Sequence, residues 1–195
     1  MRIRVFTDGG GFKKPDKKFI AVSSYIFYKN DECVIGEGII FENKTNNFAE
    51  IYAIYEALKV INNYLKINKI KTYNIEVYTD SLLCLKSLTI WIYNWQKKSI
   101  DGILYTSVGT EVANQEIIIK AFRILKKLKN THIYHINSHK PKNKLPEQYN
   151  HFKKFNNCDI SYEDFLFAYL NNKKCDKSVK DSYKKYKTTQ METNL

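Results

Sequence analysis

Three runs rich in β-branched and aromatic residues, Met1 to Thr7, Phe19 to Tyr28 and Cys33 to Phe41, follow one another before any helical spacing appears. Few arrangements restrict a fold more. Runs joined this tightly pair as an antiparallel meander, since a parallel return needs a crossover of a dozen residues or more. The first run ends in Asp8 and three glycines, Gly9, Gly10 and Gly11, which read as a strand-to-turn junction. A carboxylate there, beside chain that lets a ligand come close, is placed to hold a metal ion or meet a phosphate. It could also simply open a turn. Gly36 and Gly38 in the third run suggest a bulge or a close backbone approach.

The polar cluster Asn43 to Asn47 supplies cap formers for a helix over Phe48 to Tyr64, in which Ile51, Ile54, Tyr55, Leu58 and Ile61 recur at helical spacing. Glu50 falls in its first turn, where the helix dipole favours an anion. Asn74 to Tyr78 is a fourth strand delivering Thr79-Asp80-Ser81 to its end, so Asp80 repeats the placement of Asp8. Ser81 to Leu88 and Ile90 to Lys98 read as two short helices, Val112 to Leu128 as a longer one, and Thr131 to Ile136 as a fifth strand. Trp91 and Trp95 lie one turn apart and suit core or hinge packing, whereas Lys97 and Lys98 open an exposed basic segment, Ser99 to Gly109. His132, His135 and His139 do not make a metal site on one strand face, because strand positions three apart point to opposite sides. Lys140 to Asn157 shows no clear period. Tyr162 to Leu170 reads as a short apolar helix, and Cys175 to Tyr186 as a charged terminal helix that Asp176 opens after the loop Asn171 to Lys174.

With 195 residues the chain suits one domain that buries a real core. A net charge of +12 points to a polyanionic partner, nucleic acid first, because lysines that neutralise phosphates gain affinity by releasing counterions. Cys33, Cys84, Cys158 and Cys175 form no C-x-x-C pair, and no signal peptide precedes the first strand, so reduced thiols and a cytoplasmic location are expected. No run reaches the roughly 18 apolar residues of a membrane span, and no membrane partner is expected.

Acids far apart in sequence but gathered at element ends would repel one another unless cations bind between them. Two divalent ions roughly 3.5 to 4 Å apart, clamping the attacking and leaving oxygens of a phosphoryl displacement, call for such a supply of hard oxygen ligands. The motifs agree with this chemistry. Val5-Phe6-Thr7-Asp8-Gly9, Thr45-Asn46-Asn47-Phe48-Ala49-Glu50, Tyr78-Thr79-Asp80-Ser81 and the Trp91 to Lys98 segment resemble, in order and spacing over residues 1 to 139, the type 1 ribonuclease H family.

That resemblance implies an α/β fold, RNase H-like, with a five-stranded mixed sheet and helices on both faces. It implies an endonuclease that hydrolyses the RNA strand of RNA/DNA hybrids with two Mg²⁺ ions or Mn²⁺ in their place; separately, a monomer is expected. Asp8, Glu50, Asp80 and Asp176 would be the metal ligands, and His139, in a segment resembling the family's G-H, would aid proton transfer or product departure. Gly9, Asn46, Asn47, Ser81, Lys97 and Lys98 would meet substrate, the asparagines reading 2′-hydroxyls. The chain departs from the pattern after the first acid, where the loop is short and lysine-rich. It departs again between His139 and Asp176, which stand 37 positions apart. The domain is therefore read as residues 1–186 with an insertion at about 140–170, followed by a disordered tail over 187–195. Asp159, in Asn156-Asn157-Cys158-Asp159, is a rival for the fourth acid; Asp176 is preferred because a charged helix follows it. Other functions to weigh are a DEDD-type exonuclease, disfavoured because Gly10 stands where a second acid should be, a junction resolvase, and a catalytically weak hybrid-binding module.

Overall fold

The computed structural model describes residues 1–14, 19–137 and 141–193. Five strands form one sheet in the order β3-β2-β1-β4-β5. β1 (Arg2–Lys13), β2 (Phe19–Lys29) and β3 (Glu32–Glu42) make the antiparallel meander, and β4 (Asn74–Thr79) and β5 (Thr131–His135) add to it in parallel. The hairpin between β2 and β3 turns on Asn30 and Asp31, both at positive φ, a backbone region that Asn and Asp tolerate well.

Both faces of the sheet are buried, so β1 carries apolar groups on either side instead of a simple alternation. Ile3 and Val5 join α1 (Asn46–Ile67) and α4 (Gln115–Leu125) in the larger core, with Ile54, Leu58, Ile61, Ala121 and Phe122 fully or nearly enclosed. Phe6 faces the other way, into an aromatic cluster with Tyr28, Tyr78, Phe152, Phe165 and Tyr169. Arg4 is also buried there, bridged to Asp164 at 2.8 Å and to Asp31, with its guanidinium 3.7 Å over the ring of Phe167. Arg2 bridges both Glu76 and Asp164 at 3.0 Å, which ties the start of α6 (Tyr162–Thr193) to the first strands.

Several elements differ from the sequence reading. β1 does not turn at the glycines but continues through them, with Gly9, Gly10 and Gly11 paired to Ser23, Val22 and Ala21. Their purpose is close approach: a Cβ on Gly9 would lie 2.6 Å from the carbonyl carbon of Ala49 and would strike the amide of Glu50, while one on Gly10 would lie 2.5 Å from Val179. The β3 irregularity falls opposite Phe27 and Tyr28, just before Gly36, and the close approach expected of these glycines is found at Gly38, which makes room for Ser182. Residues 145–156, which carry no clear period, form α5 (Leu145–Asn156), a helix that buries only Phe152.

The two terminal helices are one. Asn171 and Asn172 sit inside α6 rather than in a loop, and both are buried. Asn171 accepts a hydrogen bond from the Tyr28 hydroxyl at 2.7 Å and donates to the Phe167 carbonyl at 2.9 Å, so its amide is satisfied without breaking the helix. The helix runs on through residues 187–193, where a disordered tail was expected. Between β4 and α4 the helices α2 (Leu82–Lys86) and α3 (Ile92–Lys97) are joined by a π-helical turn, Ser87–Trp91, into one helical stretch.

Candidate metal centre

β1 outruns its parallel neighbour by a few residues. The last β1–β4 pair is Thr7 with Thr79, so Asp8 and Asp80 each stand one residue beyond it, side by side at the same edge. Asp8 therefore lies within a strand, paired to Ser24, and not at a strand end. Glu50 arrives from the opposite direction. Thr45 caps α1, its hydroxyl accepting from the Phe48 amide at 3.3 Å, which starts the helix at Asn46 and puts Glu50 in the second turn. Gly9 lets that turn touch the strand.

The result is a trio of acids, with one carboxylate oxygen each from Asp8, Glu50 and Asp80 within 4.8 Å of the others. Asp8 and Glu50 are buried, and Glu50 Oε2 has no hydrogen-bond partner among the described residues. Among the described residues, the Gly9 amide donates to Asp8 at 2.8 Å. Burial first, then the charges of Asp80 and Asp176, push the Asp8 carboxyl up to about 8. Burial, and then the charges of Asp8 and Asp80, raise Glu50 well above the usual carboxylate range. Such crowding is unfavourable for ionised acids alone and is the environment that a hard divalent cation relieves. The donor set fits such an ion: carboxylate oxygens only, with one buried oxygen left over.

Asp176 is not one of the trio, yet it lies near enough to raise Asp8. It projects from the middle of α6, and Lys180 one turn on bridges it at 2.6 Å. Cys175 anchors this stretch: its buried thiol donates to the carbonyls of Ser24 at 3.3 Å and Phe6 at 3.5 Å, between β1 and β2. Asp159 is elsewhere. It is 95% exposed, paired with Lys153 at 2.6 Å, and lines a small cleft with Arg2, Glu76 and Asp164 at the far end of the strands.

Asn46 and Asn47 are exposed on the first turn of α1. Ser81 caps α2 by accepting from the Cys84 amide at 3.4 Å. Lys97 and Lys98 are exposed and border a groove of about 610 Å³ with Trp91, Asn94, Trp95, Thr106 and Ser107, so the tryptophans line a surface instead of being wholly core. His139 lies outside the described residues. Sequence reasoning missed two neighbours of the acids. Lys180 was legible in principle, as a cation at i+4 from Asp176. His135, whose Nε2 is 3.0 Å from the Asp80 carbonyl oxygen, drew notice in the sequence only as one of three histidines set aside as a metal site.

The sequence matches the RNase H family over residues 1–152. A ribonuclease H of Helicobacter pylori is 31% identical over 101 residues, which is 52% of this chain and 62% of that protein, so the chain spans less than two thirds of such relatives. Among solved structures, the PFV RNase H domain superposes with a TM-score of 0.53 at 21% identity, covering 80% of this chain and 92% of that one. A foamy viral protease-reverse transcriptase in complex with an RNA/DNA hybrid gives 0.59 at 15% identity, over 80% of this chain and 19% of the other.

Proposed function

The chain belongs to the RNase H family, and we propose that it is an endonuclease hydrolysing the RNA strand of RNA/DNA hybrids with two divalent cations. The observation that carries this reading is the trio Asp8, Glu50 and Asp80, the first two buried and the third half-buried, mutually repelling and supplied with a leftover carboxylate oxygen on Glu50. Mg²⁺, or Mn²⁺ in its place, would supply Lewis-acid activation of water and neutralise charge on the displaced oxygen. Asp8 would be shared between the two ions, Glu50 and Asp80 completing one set and Asp176 the other. Lys180 holds the Asp176 carboxylate by a salt bridge, so that acid is oriented before any ion arrives. His139 would assist proton transfer.

Substrate recognition divides between two surfaces. Asn46 and Asn47, beside the acids in sequence and exposed, offer amide donors and acceptors to the 2′-hydroxyls that distinguish RNA from DNA. The groove of Trp91, Trp95, Lys97 and Lys98 suits a sugar-phosphate strand, with flat apolar walls and two cations at its rim. The test is a gel assay of cleavage on RNA/DNA hybrid, duplex DNA and duplex RNA, with and without Mg²⁺. Cleavage of the hybrid's RNA strand alone, dependent on Mg²⁺ and abolished in Asp8→Asn, is the expected result. Metal-independent cleavage, or equal cleavage of all three duplexes, would refute the proposal.

A further inference from the structure

β5 is an edge strand, and at its last residue the backbone that would face solvent is taken up by one side chain of α5. Asn156 Oδ1 accepts from the His135 amide at 2.9 Å, and Asn156 Nδ2 donates to the His135 carbonyl at 3.0 Å, reproducing with a carboxamide the pair of bonds that another strand would make. A second bond from Nδ2 to the Phe152 carbonyl, at 3.0 Å, fixes the amide to its own helix. The next residue of the chain, Ile136, donates its amide to Thr79 at 2.9 Å, so residue 135 is clamped from the α5 side while its neighbour holds the end of β4.

The residue clamped in this way reaches the acids. His135 Nε2 lies 3.0 Å from the Asp80 carbonyl oxygen, a contact that requires the proton on Nε2, and the ring is half-buried beside Phe155 at 5.3 Å between centroids. Asp80 follows the final residue of β4, and the peptide that joins it to Ser81 is held at both ends: the Ser81 amide donates to the Thr79 hydroxyl at 3.1 Å, and the Asp80 carbonyl meets His135. We infer that α5 is a positioning device for the metal centre, acting through Asn156 and His135 on the Asp80 backbone. This rests on the assignment of Asp80 as a metal ligand. His135 and Asn156 are positioning residues; neither touches substrate or metal in this scheme. The same geometry gives α5 a task beyond packing Phe152 into the aromatic core.

The measurement is Mn²⁺ affinity of the intact chain by titration calorimetry, with folding checked by circular dichroism. His135→Leu and Asn156→Leu should each weaken Mn²⁺ binding by about tenfold, as removal of an outer support of a ligand does. His135→Gln keeps an N–H donor at similar reach and should restore most of the affinity. Unchanged affinity in folded His135→Leu and Asn156→Leu, with only a lower melting temperature, would overturn the inference and leave α5 a purely stabilising element. Equal weakening in His135→Gln and His135→Leu would overturn the hydrogen-bond route. A wild-type chain that takes up no Mn²⁺ would instead overturn the metal assignment, and this inference with it.

Discussion

Asp8 is a group whose proton affinity differs between the folded and unfolded chain. Burial and the charges of Asp80 and Asp176 raise it to about 8, from an ordinary value of 3.8. Between those limits the metal-free folded state holds a proton that the unfolded chain has lost, so the stability linked to Asp8 is full below about pH 4 and disappears as pH rises toward 8. Urea unfolding of the metal-free protein should therefore show a midpoint that falls from about pH 5 to pH 8, and Asp8→Asn should flatten that decline. Added Mg²⁺ should restore the wild-type midpoint most at the alkaline end, since the cation replaces the proton. Gly9 imposes a second condition at this scale. Because the atoms that a Cβ would meet are α1 backbone on a strand held in the sheet, Gly9→Ala should cost about 2 kcal/mol or more in urea unfolding and move Glu50 away from Asp8.

Among the elements, α6 does the most to organise the second face of the sheet. Its start is held by Asp164, which meets Arg2 and the buried Arg4, and its middle carries Cys175 and Asp176. Asp164→Asn leaves Arg4 with Asp31 alone, and should destabilise the protein by about 2 kcal/mol, less than a fully buried pair would because Asp164 is partly exposed. Placement also separates the two candidate acids: Asp176→Asn should lower Mg²⁺-dependent cleavage by orders of magnitude, while Asp159→Asn, on an exposed carboxylate remote from Asp8, should leave the rate unchanged. The strands and α1 were readable from sequence because β-branched runs and a Thr cap act locally. The course of β1 through three glycines was not, since the reason for those glycines lies in helices far along the chain, α1 against Gly9 and Gly11 and α6 against Gly10. Nor was the continuity of α6, where an Asn-Asn-Lys-Lys run reads as a loop until Tyr28 is known to bond Asn171. The trio of acids was legible by spacing and motif, whereas His135 and Asn156 act through a strand edge that no local pattern announces.

For the molecule as a whole, the charge of +12 and the basic groove predict binding that weakens steeply with salt. Replacing Lys97 and Lys98 by Ala should lower the slope of log affinity against log salt concentration by about two, one for each lost phosphate contact, while Asn46→Ala with Asn47→Ala should leave that slope intact and erode the preference for hybrid over duplex DNA. Among the described residues, no helix is long and apolar enough to cross a membrane. The order in which the chain supplies its layers has a further outcome during translation. α1 and α4 come early enough to close one face of the sheet, but Phe6, Tyr28 and Tyr78 on the other face wait for α5 and α6 to leave the ribosome. Until then a nascent chain leaves these aromatic residues without their covering helices and lacks Asp176, the fourth acid of the proposed site. Its second aromatic core and, in the proposed two-metal site, its fourth acid arrive with the same late helix.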